Sequence, residues 1–294
     1  MESERQVAVE QVGEVRPVMV ADGIGLRVHV WSANDGIARR PFVLLHGIAS
    51  NARTWDAVAQ RLAAAGYPAY AVDFRGHGIS DRPADGYDLA TFASDLAAVV
   101  SGLGLERPIL VGHSLGANVI LEALATRADL AAGVTLVEGG LVSANLQFAT
   151  LEECLAGLAL SPVQGLPLAH LRAFLSKSHP AWPEWRLAAT LASFDVLADY
   201  TVAWRLTAGQ LDALLRALWV QDVAAAWPRI RVPAVVLAAD TGDVTWTAAK
   251  RAAEVDLCGL MPGAHVEWLT SDHEVHADRP SEVADLLLDA FARS

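Results

Sequence analysis

Cysteine is nearly missing from this chain of 294 residues. Cys154 and Cys258 are too few for a disulfide framework, and neither has a second Cys or a His at zinc-binding spacing, so a reducing compartment fits best. Positive charge is short as well. A formal net charge of −12 and a pI near 5.1 exclude a protein that grips nucleic acid phosphates or anionic lipid surfaces. Charged residues of both signs make up only 19% against 53% hydrophobic, which excludes a disordered chain and allows a large core. The stretch Met1 to Pro17 carries Glu2, Glu4, Arg5, Glu10, Glu14 and Arg16 and no apolar run, so no secretory signal is expected. The longest uncharged apolar stretch considered, Cys154 to His170, is broken by Gly157, Pro162, Gly165 and Pro167 and does not read as a membrane span. Together these absences predict a soluble cytoplasmic protein whose partner is a small molecule, with neither nucleic acid nor membrane involved.

What is present is a change of rhythm. Pro17 to Val20 and Leu26 to Trp31 alternate with period two around a turn at Ala21-Asp22-Gly23, which predicts an antiparallel edge. From Phe42 onward short apolar strands (Phe42–Leu45, Ala69–Asp73, 109–112, 134–137) alternate with amphipathic helices, the pattern of a mostly parallel, doubly wound α/β sheet. After Gly139-Gly140 the alternation stops for about eighty residues and resumes beyond Trp227-Pro228, with strands 234–239 and 265–269 and a closing helix over 283–291. Hence the expected division: a core from 1–140 and 223–294, and an inserted helical cap over 141–222.

The sharpest chemical signal is Gly112-His113-Ser114-Leu115-Gly116, placed between an apolar strand and a helix. A strand-to-helix turn this tight strains the central residue and needs glycine on both flanks, so Ser114 is predicted to project from the carboxyl edge of the sheet as a nucleophile. A serine needs a base, and His273, in the loop after the last strand, is placed to be one. His276 is its rival, and an Asp272-His273-His276 metal cluster is disfavoured because no third ligand sits in an ordered element; no metal or cofactor is expected. The base in turn needs a carboxylate. Asp243 is preferred, since Asp240 abuts the strand end and can cap its own turn, while Glu138 ends the strand 134–137 on the same edge. Two backbone amides should face the developing oxyanion: that of Leu115, after the nucleophile, and that of Ile48, where His46-Gly47-Ile48 ends the strand Phe42–Leu45. His46 itself reads as a buried histidine that shapes the turn.

These residues resemble the α/β-hydrolase-fold serine hydrolases of the esterase and lipase type. The resemblance covers roughly residues 17–140 and 227–294 and rests on Leu45-His46-Gly47, the stretch from Asp73 to Ser80, the Ser114 pentapeptide, Asp243, and His273 followed by Pro280. It implies Ser114 as nucleophile, Asp243 as acid, His273 as base, and Ile48 with Leu115 as oxyanion donors. It also implies that Asp73 to Ser80 is structural, which leaves Arg75 and His77 outside the catalytic set. Ser114 stands where haloalkane dehalogenases and epoxide hydrolases carry aspartate, which disfavours alkyl-enzyme chemistry. The loop Ala239 to Asp243 lacks the family's glycine three residues before the acid, which leaves Asp240 and Glu138 in play.

The insertion contains Trp182, Trp185, Trp204, Trp219, Phe148, Phe174 and Phe194, with five basic and seven acidic residues. It resembles the family's cap, whose apolar lining would favour a small to medium, largely apolar ester or lactone and offers no clamp for phosphate or CoA. The expected activity is cleavage of such a substrate through an acyl-enzyme. The alternatives are carbon–carbon bond hydrolysis, for which the glycine-rich loop after His46-Gly47 is lacking, cofactor-free perhydrolysis, and a ligand-binding relative without turnover.

Overall fold

Alternation decides the sheet. In the run Phe42–Leu45, Phe42 and Leu44 enter one layer of the core while Val43 and Leu45 enter the other, as the pleat requires. All four are buried, which suits a strand covered on both faces. The computed structural model describes residues 13–33, 37–261 and 263–291. The acidic segment ahead of residue 13, read above for a missing leader, lies outside the described residues.

In chain order the strands are β1 (Glu14–Met19), β2 (Gly25–Trp31), β3 (Phe42–Leu45), β4 (Ala69–Asp73), β5 (Ile109–His113) and β6 (Gly133–Val137). Three short strands follow, β7 (Leu166–Pro167), β8 (Phe194–Val196) and β9 (Thr201–Trp204), then β10 (Ala234–Asp240) and β11 (Ala264–Thr270). One sheet has the order β1-β2-β4-β3-β5-β6-β10-β11. β1 with β2 and β2 with β4 are antiparallel, and every later pair is parallel. The antiparallel edge and the parallel remainder are those expected from the sequence, with strand ends moved by a few residues.

Helices cover both faces. α1 (Asp56–Ala64), α2 (Leu89–Gly102) and α3 (Leu115–Thr126) precede the insertion; α4 (Leu151–Gly157), α5 (Leu168–Ser178), α6 (Glu184–Leu191) and α7 (Ala208–Val220) belong to it; α8 (Val223–Ala226), α9 (Val244–Leu260), α10 (Val275–Asp278) and α11 (Pro280–Phe291) follow. α1 and α11 pack together over the layer that holds Phe42, Leu44, Val111 and Leu237, whereas α2 and α3 cover the layer of Val43, Leu45, Leu110 and Val236. Parallel strands send all their carboxyl ends to one edge, so the loops after β3, β5, β6, β10 and β11 gather there.

The insertion departs from an all-helical expectation. Phe194–Val196 and Thr201–Trp204 pair as an antiparallel hairpin, joined by β7 in a three-stranded sheet. The hairpin closes through a local turn, with Tyr200 N–H donating to Leu197 O at 2.9 Å and Tyr200 at a φ of 61°. The insertion rests on loops after β3 and β4. Asn51 Nδ2 donates to Ala189 O and Ser193 Oγ, both at 2.8 Å, and Gln210 Nε2 donates to Pro83 O at 3.0 Å. Among the described residues, no helix is long and apolar enough to cross a membrane.

Candidate active site

Ser114 sits between β5 and α3 with φ 51° and ψ −114°, a conformation that non-glycine residues hold only when their surroundings force it. The surroundings here are backbone. A Cβ on Gly112 would lie 2.4 Å from Gly116 C, and one on Gly116 would lie 2.6 Å from Leu45 O. Glycine at both positions lets strand and helix close on each other, and Ser114 N–H donates to Val137 O at 2.9 Å to tie the turn to β6.

Glu138, the residue after β6, has a left-handed backbone too, with φ 47°. The chain leaving β6 runs close to the serine turn, since a Cβ on Gly139 would lie 2.5 Å from Ser114 O. The Glu138 carboxylate is buried and fully engaged. Oε1 accepts from Ala239 N–H at 2.5 Å and from Lys250 Nζ at 2.9 Å, and Oε2 lies 3.2 Å from Lys250 Nζ and 3.3 Å from His273 Nδ1. Burial pushes its pKa up, but the hydrogen bonds from His273, Ala239 and Lys250 outweigh that and hold it below the ordinary glutamate value.

His273 lies between β11 and α10 with its ring about half exposed. His113 Nε2 donates to His273 O at 2.9 Å, and the two rings stand 4.7 Å apart, so the residue before Ser114 positions the His273 loop. Desolvation lowers the His273 pKa, while the hydrogen bond to Glu138 and the charges of Glu274 and Glu138 raise it; the net direction is upward. His113 is driven well below the usual histidine range by burial and by the neighbouring His273. One ring of the pair is thus kept neutral and the other kept basic.

The sequence places Asp243 opposite His273; in the structure the carboxylate hydrogen-bonded to the imidazole is that of Glu138. Asp243 is exposed and caps α9, its Oδ1 accepting from Trp246 N–H at 2.9 Å. Asp240 is spent on its own turn and on Thr247, accepting from Gly242 N–H at 3.1 Å and lying 3.3 Å from Thr247 Oγ1. Of the three carboxylates weighed from the sequence, Glu138 is the one against the imidazole. The partner that sequence reasoning missed is Lys250, seven positions beyond Asp243 on α9, which no local motif marks.

His46, His77 and His276 are held in the core by structural contacts. His46 is buried, with Nδ1 donating to Gly47 O at 2.7 Å and Nε2 accepting from Phe74 N–H at 3.2 Å. His77 Nε2 accepts from Ala49 N–H at 3.2 Å, and Arg75 forms a two-pronged pair with Asp95 at 2.7 and 2.8 Å. His276 is buried and stacks on Trp55 at 4.1 Å. Ligand atoms of His113, Glu274 and His276 lie within 4.8 Å of one another. Zinc bonds of about 2.1 Å allow at most about 4.2 Å between two ligands, so that trio would have to contract to hold such an ion.

Ile48 follows Gly47, whose Cβ would lie 3.3 Å from Ser114 Cβ. Leu115 is the first residue of α3, where an N–H has no partner within the helix. Ile48 also lines a cavity of about 350 Å³ beneath the insertion, walled by Trp182, Trp185, Phe194 and Trp204. Trp219, Phe148 and Phe174 are not in that wall. Arg186 lines it too, but its guanidinium is paired with Asp278 and stacked over Trp182 at 4.0 Å.

Comparison with known proteins agrees with this architecture. The sequence profile described as the alpha/beta hydrolase family matches residues 42–286. A non-heme chloroperoxidase of Streptomyces lividans is 35% identical over 108 residues, 37% of this chain and 38% of that protein. The match thus spans well under half the length of that relative. A putative non-heme chloroperoxidase of Synechocystis sp. is 29% identical over 209 residues, 69% of this chain and 74% of its own length. The crystal structure of an E-2-(acetamidomethylene)succinate hydrolase superimposes with a TM-score of 0.77 at 22% identity, covering 97% of this chain and 100% of that one.

Proposed function

This chain belongs to the alpha/beta hydrolase family, and from that premise we propose that it cleaves a small to medium, largely apolar carboxylic ester or lactone with Ser114 as nucleophile, His273 as base and Glu138 as acid. The observation that carries the reading is the 3.3 Å contact between Glu138 Oε2 and His273 Nδ1 beside a serine turn at φ 51°. A carboxylate on Nδ1 fixes the tautomer that leaves Nε2 free to accept the serine proton. Ser114 Oγ then attacks the acyl carbon, and the amides of Ile48 and Leu115 receive the oxyanion. His273 returns the proton to the leaving alcohol, and water, deprotonated by the same base, releases the acid from Ser114.

The cavity that Ile48 shares with Trp182, Trp185, Phe194 and Trp204 supports an apolar substrate, since its walls are rich in aromatic rings and its guanidinium, that of Arg186, is already paired with Asp278. Assignment of the insertion over 141–222 as a cap belongs to the same proposal. Two relatives bear the name chloroperoxidase, which favours one second reading: hydrogen peroxide in place of water taking the acyl group from Ser114. Hydrolysis of a 4-nitrophenyl ester length series, with and without peroxide, tests both. Turnover lost in Ser114→Ala supports the reading, and turnover that survives it sinks the reading.

A further inference from the structure

Lys250 is one of two lysines in the chain, with Lys177, and it is 3% exposed. Its ammonium has three donors and finds three acceptors: both oxygens of Glu138 at 2.9 and 3.2 Å, and Ala239 O at 2.5 Å. The rings of Trp246 and Trp268 flank it at 5.5 and 5.9 Å. A methionine could fill such a place without taking a charge out of water, so the charge itself needs a reason.

We propose that Lys250 is a positioning residue that sets the basicity of His273 through Glu138. This rests on the triad read above. The ammonium and the Ala239 amide hold one carboxylate oxygen, which turns the other toward His273 and fixes Glu138 as an anion. The same positive charge offsets part of the negative field at the imidazole. Glu138 alone would make His273 more basic and leave less of it neutral at working pH.

The groups facing this pair come from several elements. Glu274 adjoins His273 and favours its charged form, while His113 packs on it from the serine turn. Asp240 and Asp243 lie exposed at the ends of β10 and α9. Arg251 covers Trp268 at 3.6 Å, and Glu254 accepts from Trp268 Nε1 at 3.1 Å. Lys250 and His273 are both hydrogen-bonded to Glu138, Lys250 most closely through Oε1 and His273 through Oε2.

The test is the pH dependence of the rate at which a fluorophosphonate labels Ser114 in the whole protein. In Lys250→Met the acidic limb should move to higher pH, and Lys250→Arg, which keeps the charge, should bring it back toward wild type. A limb that stays in place or moves to lower pH in Lys250→Met overturns the proposal. Should Lys250→Met not fold, ¹³Cε-lysine NMR of the protein with Lys250 in place decides. Lys177→Arg removes the exposed signal, and the chemical shift of the remaining Lys250 resonance should change as His273 ionises, at the midpoint of the labelling limb; a resonance flat through that range overturns the proposal. Absence of labelling in wild type overturns the triad instead, and the NMR titration still reads whether Lys250 senses His273.

Discussion

Glu138 and His273, 135 positions apart in sequence, meet through Oε2 and Nδ1 at 3.3 Å. The contact joins the end of β6 to the loop after β11 across the end of β10, the strand that lies between them in the sheet. Ala239 on that intervening strand gives its amide to Glu138 and its carbonyl to Lys250.

Exchange of the acid should be decisive. Glu138→Gln is expected to lower kcat by a factor of about 10² to 10⁴, because the imidazole loses the charge that orients it. Asp243→Asn and Asp240→Asn, in exposed turns, should stay within a few-fold of wild type. Steady-state kinetics on one activated ester compares the three, and a crippled Asp243→Asn with an active Glu138→Gln would reverse the assignment.

The nucleophile should be visible by mass. A fluorophosphonate is expected to add once to the intact protein and not to Ser114→Ala. An adduct that persists in the variant would take Ser114 out of the mechanism.

The acidic limb of kcat/KM follows from the direction in which His273 is shifted. The base works neutral, and Glu138 with Glu274 favours its protonated form. Activity should therefore fall as pH drops through a midpoint above the ordinary value of about 6.5. A kcat/KM profile with its midpoint below that value would contradict the geometry.

Asp56 gives a stability prediction with a defined sign. Burial, against the opposing charge of Arg53, raises its pKa from 3.8 to about 6. A carboxyl more basic folded than unfolded adds stability that is complete below about pH 4 and is lost as pH rises through about 6. On going from pH 4.5 to 8, Asp56→Asn should lose less stability than wild type. The difference should be at most about 3 kcal/mol, the worth of roughly two pKa units. Urea melts at the two pH values measure it, and an equal or larger loss in the variant would refute it.

Gly116→Ala should disrupt the serine turn, since the new methyl would lie 2.6 Å from Leu45 O. A destabilisation of about 1–3 kcal/mol, the usual cost of overpacking, is expected together with loss of labelling. Thermal unfolding and labelling measured side by side would show whether the two fall together.

Ser114 and the sheet strands were legible in the sequence because their determinants are local. Two glycines within five residues close the turn, and period-two or fully apolar runs mark β2, β3 and β5 without reference to anything distant. His273 is marked by its place after the last strand, and the fold sets it against Glu138. The acid is not marked in that way. Glu138 and Asp243 follow neighbouring parallel strands toward the same edge, so chain order and strand type allow both. Tertiary structure decides which of them meets the imidazole: Asp243 is consumed in capping α9, while Glu138 leaves β6 in a left-handed turn and lies against His273. The hairpin inside the insertion escaped a reading dominated by helical spacing because three- and four-residue strands carry too little alternation to register. Lys250 was silent for a related reason. A lysine on a surface-type helix looks solvated until the fold places a buried carboxylate and a carbonyl within reach of its ammonium, and only the approach of α9 to the ends of β6 and β10 does that.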